Sequence, residues 1–137
     1  IGEIMGKYAA AELLNAPDFC NIDLIIPIPL HPKKLAKRGY NQSEWIGKGL
    51  SAVLNKQQDT NTLKRIKETA TQTKKSVFER FENTAGIFEL SDPTHLEGKH
   101  LLLIDDVLTT GSTLEAAINT LLSIPNVKIS IFTLAVA

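Results

Sequence analysis

The sequence predicts an α/β fold: a mostly parallel sheet flanked by helices, with ligand held over the carboxyl ends of the strands. Two observations carry this. Leu101-Leu102-Leu103-Ile104 is a short apolar run suited to a buried strand, and a helix follows it with Leu114, Ala117, Ile118, Leu121 and Leu122 on one face. Leu24-Ile25-Ile26 repeats the pattern earlier, ahead of a second helical stripe of Trp45, Ile46, Leu50, Val53 and Leu54.

At 137 residues the chain fits one domain, spanning 1–137, and can bury a real core. Its formal net charge is zero, so bulk charge announces neither a nucleic-acid partner nor a membrane surface. One cysteine, Cys20, excludes an intrachain disulfide framework and a multi-cysteine zinc site in this chain, and reads as a small packed residue. No apolar run is long enough to span a bilayer and no signal peptide is visible, so a cytoplasmic location is the expectation.

In order, residues 4–14 read as a helix with Ile4, Tyr8, Ala11 and Leu14 on one packing face, ended by Pro17. The strand at Leu24 should finish near Pro27, which cannot donate to a ladder. Residues 30–42 read as a loop rich in positive charge, in which His31 is a polar loop residue. Asn41 with Glu44 looks like an N-cap and its partner, and Trp45 looks like core. Gln57 to Asn61 reads as a polar turn. Thr62 to Lys67 alternates without a clean apolar face, which suggests an exposed hairpin or edge. Glu68 to Lys75 reads as a mobile loop, Ser76 to Phe81 as a short helix, Ile87 to Leu90 as a strand, and Lys128 to Val136 as the last strand.

The chemistry concentrates after Ile104. Asp105 and Asp106 stand where the strand should end, followed by Thr109-Thr110-Gly111-Ser112-Thr113. Ser112 and Glu115 have capping-box spacing, so a helix should begin within a residue of Ser112. Amides at a helix N-terminus lack internal partners and the dipole favours an anion there, while Gly111 permits a tight turn and close approach. The carboxylates would repel a phosphate. As acceptor-only groups they suit the vicinal hydroxyls of a ribose, directly or through Mg²⁺ and its waters. Lys33, Lys34, Lys37 and Arg38, following a strand, are the natural place for a second and more heavily charged anion such as pyrophosphate.

An apolar strand, a diacid and Thr-Thr-Gly-Ser-Thr resemble the phosphoribosyl-pyrophosphate (PRPP) signature of type I phosphoribosyltransferases. Ile26-Pro27-Ile28-Pro29-Leu30-His31-Pro32-Lys33-Lys34 with Lys37-Arg38-Gly39-Tyr40-Asn41-Gln42 narrows the resemblance to the ComF/GntX family of competence proteins. Arg65, Thr69, Gln72, Arg80, Asn83 and Gly86-Ile87-Phe88 fall in that family's order, and the match runs from about residue 24 to the end. The resemblance implies a type I phosphoribosyltransferase-like fold with a flexible hood loop over Arg65–Lys75. It implies that Asp105 and Asp106 hold the ribose hydroxyls, with Mg²⁺, and that Thr109, Thr110, Gly111, Ser112 and Thr113 hold the 5-phosphate. The family commonly begins with a cysteine-rich, zinc-binding module. This chain has none and begins at Ile1, so that module is expected to be removed or absent.

The leading expectation is Mg²⁺-dependent PRPP binding and phosphoribosyl transfer to a nitrogen acceptor. Lys33, Lys34 and Arg38 would stabilise the leaving pyrophosphate, and Arg65, Lys67 and Lys75 would arrive as a loop closes. The alternative is a non-catalytic module that senses PRPP or a nucleotide, or docks DNA-uptake partners, with a homo-oligomer left open. A carboxylate-metal phosphatase or nuclease is weaker, because such sites need more carboxylates than this pair.

Overall fold

The computed structural model describes residues 1–16, 21–67, 86–108 and 110–136. Cys20, Pro17, Lys75, Thr109 and the segment 68–85, with its expected loop and helix, lie outside them.

Among the described residues, four strands form a parallel sheet in the order β2-β1-β5-β6. These are β1 (Leu24–Pro27), β2 (Gln57–Gln58), β5 (His100–Leu108) and β6 (Lys128–Val136). Strands β3 (Leu63–Arg65) and β4 (Phe88–Leu90) pair antiparallel as a separate ribbon, the hairpin that alternation suggested. Pro27 is the last ladder residue of β1, opposite Ile104. Gln57 and Gln58 form a short edge strand where a turn was expected.

Alternation along the strands splits the core in two. Ile26, Leu101 and Leu103 face one cluster with Leu114, Ala117 and Leu121 of α4 (Ser112–Leu121) and Phe88 of the hairpin. Ile25, Leu102 and Ile104 face the other, with Ile46 and Leu50 of α3 (Gln42–Leu54) and Ala10 of α1 (Gly2–Leu13). Helices therefore cover both faces of the sheet, as the fold class requires.

The packing of α1 differs from expectation. Its buried positions are Gly2, Gly6 and Ala10, while Ile4, Tyr8 and Leu14 face outward, Tyr8 at 75% exposure. The cause is the close approach of α3. A Cβ on Gly6 would collide with the Ile46 carbonyl, and one on Gly49 with the Glu3 carbonyl. Two backbones that meet this closely leave no room for apolar side chains between them. Trp45 is also displaced from the core: it is 41% exposed, with the Lys48 ammonium 4.7 Å from its ring centroid.

The basic stretch is a helix, α2 (Pro32–Arg38), where a loop was expected. Its signals are local. Pro32 occupies the first turn, the His31 ring accepts from the Lys33 amide at 3.2 Å, and Gly39 closes the helix at φ 84°.

The hairpin is clipped to the sheet by Asp59. Its carboxylate accepts from the Asn61 amide at 2.9 Å, the Thr62 amide at 3.0 Å and the Thr62 hydroxyl at 2.6 Å, and lies 2.8 Å from His95 Nε2. The Asp59 amide donates to the Ile25 carbonyl of β1 at 2.8 Å. Leu63, which starts β3, is thereby held beside the end of β1.

Candidate active site

β1 returns through α3 to β2 on one side of the sheet, and β5 returns through α4 to β6 on the other. The connections diverge between β1 and β5. At such a switch point neighbouring loops part and leave a crevice at the carboxyl ends of the strands. A cleft lies there, lined by Ile28 and Leu30 after β1, by Arg38 and the start of α3, by Arg65 of β3, by Asp105 and Asp106, and by Gly111 and Thr113.

The carboxylates sit inside β5, which runs on to Leu108, rather than where the strand stops. In a regular strand two neighbours face opposite ways. Here the ladder pairs Asp105 with Thr133, steps over Asp106, and resumes at Val107 and Ala135. Each acid also takes the next amide, Asp106 N–H to Asp105 at 2.9 Å and Val107 N–H to Asp106 at 2.8 Å. Both carboxylates line the cleft.

Burial pushes the Asp105 carboxyl up to about 6, and the neighbouring Asp106 pushes the same way. The Asp106 amide and the Arg65 guanidinium pull it down. Two half-buried acids side by side thus await a cation or a set of hydroxyl donors.

The far wall is the start of α4. Gly111 is its N-cap at φ 80° and has no side chain to cap with, so Ser112 is the first helical residue and the expected Ser112 cap is not formed. Instead Thr110 serves locally: its hydroxyl lies 3.0 Å from that of Ser112 and accepts from the Ser112 amide at 3.3 Å. Gly111 and Thr113 face the cleft, whereas Thr110 and Ser112 are not among its lining residues.

The near wall contains residues that the motif did not single out. Asn41 is 8% exposed. Its Nδ2 donates to the Ile28 carbonyl at 3.0 Å and its Oδ1 accepts from the Ser43 amide at 3.1 Å, so it fastens the start of α3 to the end of β1. Gln42 and Ser43 then line the cleft. The sequence marked Asn41 as a helix start and, with Gln42, as part of the stretch that carries the family resemblance, but not as a residue of the site.

Of the expected cations, Arg38 and Arg65 line the cleft. Arg65 stands over the Phe88 ring, 5.6 Å from its centroid, which steadies it at the base of the hairpin. Lys33 and Lys34 are exposed on α2 and do not line this cleft, and neither does Lys67. Among the described residues no cluster of three or more His, Cys, Asp or Glu side chains could hold a metal unaided. The Asp105–Asp106 pair fits Mg²⁺, which usually keeps several waters and takes one or two carboxylates together with substrate phosphates. No helix among the described residues is long and apolar enough to cross a membrane.

Comparison with known proteins agrees with this geometry. Residues 33–136 match the phosphoribosyl transferase domain family. The DNA utilization protein YhgH of Escherichia coli is 34% identical over 116 residues, covering 82% of this chain and 50% of that protein. Competence protein F of Haemophilus influenzae is 38% identical over 93 residues, covering 67% of this chain and 41% of that one. The chain thus spans about half the length of such curated relatives or less. Among solved structures, an adenine phosphoribosyltransferase superposes with a TM-score of 0.60 at 15% identity, covering 94% of this chain and 66% of that one. A structure of adenine phosphoribosyltransferase from Saccharomyces cerevisiae gives 0.59 at 14%, covering 94% of this chain and 65% of that one. These likenesses concern the fold alone. With the family match spanning most of the chain, and competence proteins among its relatives, the chain belongs to the phosphoribosyl transferase domain family, in its ComF-like branch.

Proposed function

We propose that this domain binds PRPP with Mg²⁺ and transfers its phosphoribosyl group to a nitrogen acceptor. One observation carries the reading: two carboxylates, two arginines and a helix N-terminus converge on a single cleft at the switch point of the sheet. Asp105 and Asp106 accept hydrogen bonds from the ribose 2- and 3-hydroxyls. The amides at Gly111 and Thr113, with the Thr113 hydroxyl, take the 5-phosphate. Arg38 and Arg65 face the diphosphate on C1. The C1–oxygen bond breaks, both of its electrons leave with the diphosphate, and positive charge develops on the ring as in glycoside cleavage. The nearby carboxylates and the two arginines are set for the charges that separate. Asp105 and Asp106 would hold Mg²⁺, directly or through water, and when bound it neutralises the departing diphosphate.

The test is a thermal shift with PRPP, ribose 5-phosphate and Mg²⁺. PRPP with Mg²⁺ should stabilise the fold most, by about 2.7 kcal/mol at a hundred times the dissociation constant. No shift at millimolar PRPP would remove the reading.

A second reading has its own support. Lys33, Lys34 and Lys37 stand exposed on α2, outside the cleft, and the relatives carry names of DNA use and competence. A PRPP-sensing module that docks single-stranded DNA on α2 would lose DNA binding, with a smaller salt dependence, in Lys33→Ala with Lys34→Ala, while its PRPP affinity stayed the same.

A further inference from the structure

The ribbon of β3 and β4 has three residue pairs, from Leu63 opposite Leu90 to Arg65 opposite Phe88. Among the described residues no ladder joins it to the four-stranded sheet. The bonds beyond its two ends also stay within it: the Ile66 amide donates to the Ile87 carbonyl at 2.7 Å, and the Ser91 amide to the Thr62 carbonyl at 2.9 Å. Two strands this short are marginal alone. Leu63, Phe88 and the later Leu96 hold the ribbon on the core, but apolar burial is non-directional and does not fix how the ribbon is aimed. The aim matters, because Arg65 at one end lines the cleft and its charge reaches Asp105.

The Leu63–Leu90 end is pinned by one carboxylate. Asp59 belongs to the sheet, since its amide donates to the Ile25 carbonyl of β1. Its side chain, 10% exposed, accepts from the Asn61 and Thr62 amides ahead of β3. The same carboxylate meets His95 beyond β4, in the 3₁₀ turn Pro93–Leu96. Burial opposes its ionisation, but the hydrogen bonds outweigh burial and hold the carboxyl below 3.8. At neutral pH it is therefore acceptor-only, and His95 Nε2 carries the hydrogen that spans the 2.8 Å between them. Bonds of this kind are directional, unlike the apolar contacts.

From this arrangement we infer that Asp59 and His95 are positioning residues, whose bond at the Leu63–Leu90 end sets where Arg65 stands in the cleft. The use made of Arg65 there rests on the transfer proposed above, in which it faces the diphosphate. The leverage is geometric. A strand rises roughly 3.3 Å per residue, so Arg65 lies about 10 Å from Thr62, and a tilt of about 10° carries it about 2 Å. A misplacement of about 1 Å at a reacting site costs up to about a hundredfold. Thr62 ties β3 to the carboxylate and His95 ties the chain beyond β4 to it. Without His95, β4 is held only through β3 and by packing, and the ribbon is free to tilt.

The experiment reads Arg65 first and its ligand second. In ¹⁵N-labelled protein the Arg65 Nε–H resonance, assigned from Arg65→Lys, should move in His95→Ala. It should stay in place in His95→Gln, whose amide still donates to Asp59. The His95 side chain is 53% exposed, so neither change empties the core. By calorimetry with Mg²⁺, His95→Ala should weaken PRPP about fivefold or more, and His95→Gln less than about twofold. In an Arg65→Ala background, His95→Ala should add less than about twofold, because the group it guides is gone. An Arg65 resonance unmoved by His95→Ala would overturn the assignment. Equal losses of PRPP affinity in the two backgrounds would overturn it too, since they mark an effect that bypasses Arg65. If the resonance moves and the unaltered protein binds no PRPP, the proposed transfer falls and the positioning of Arg65 stands.

Discussion

Asp105 couples the site to pH. Its carboxyl titrates at about 6 in the fold, against 3.8 when free, so the folded state holds a proton that the unfolded state has already released. Stability from this group is fully present below about pH 4 and declines as pH rises through 6. Asp105→Asn should accordingly leave stability unchanged near pH 4 and raise it above pH 6.5. A two-unit shift is worth about 3 kcal/mol, and water reaching this half-buried group cuts the expected gain to about 1–2 kcal/mol. Urea titrations of both proteins across pH 4–8 measure it, and loss of stability at pH 7 would contradict it. Asn41 acts through two hydrogen bonds, and Asn41→Ala should cost about 1–3 kcal/mol by the same method, since it leaves the Ile28 carbonyl and the Ser43 amide without partners. At this scale the diacid, Gly111, Thr113, Arg38 and Arg65 were legible because a local motif or a flanking basic stretch names them. Gln42 and Ser43 were not, because nothing local says that α3 returns to the end of β1.

Among elements, the α1–α3 contact was the least legible. Apolar periodicity marks the surfaces that side chains fill, and here the buried surface has almost none. Gly6→Ala shows which effect wins. At an ordinary helical position the change would gain up to about 1 kcal/mol from propensity. Against the Ile46 carbonyl it should instead cost about 3 kcal/mol or more, because backbone must move. Thermal denaturation of Gly6→Ala and Gly49→Ala, with exposed Ala11→Gly as the propensity control, separates the two. The Asp59 clip depends on pH in the opposite sense to Asp105. Burial pushes its carboxyl up, but hydrogen bonds from Thr62, His95 and the Asn61 and Thr62 amides outweigh that and hold it below 3.8. Its contribution is present above the unfolded value and is lost as pH falls through the lower folded one. α2 was misread for a different reason. Its Pro and Gly signals are present in the sequence, but a helix this short has no apolar stripe to set it apart from a charged loop.

For the whole molecule, the α/β class and the location of the site were legible, because strand–helix alternation fixes where a parallel sheet can open. How the charge is shared between cleft and surface was not. It depends on which way a helix turns, and α2 turns Lys33 and Lys34 outward while bringing Arg38 to the cleft. The expected consequence is a division among cations in a molecule of zero net charge. Arg38→Ala and Arg65→Ala should each weaken PRPP about 10–100-fold, as loss of a hydrogen bond to a charged group does. Lys33→Ala with Lys34→Ala should change it less than about threefold, in line with exposed charges. Isothermal titration at 0.15 M salt reads both. Equal losses from the two sets would mean that α2 reaches the ligand by its outer face.

The seam between α1 and α3 also bears on how this protein can change over generations. A helix fastened by its main chain asks almost nothing of the side chains it turns outward. Ile4, Tyr8 and Leu14 can therefore be replaced by residues of many kinds without disturbing the sheet behind them, whereas Gly6 and Gly49 are confined to a single choice. Divergence among descendants of this chain would then accumulate on the outside of its first helix, where new surface chemistry could be tried at little cost to the cleft.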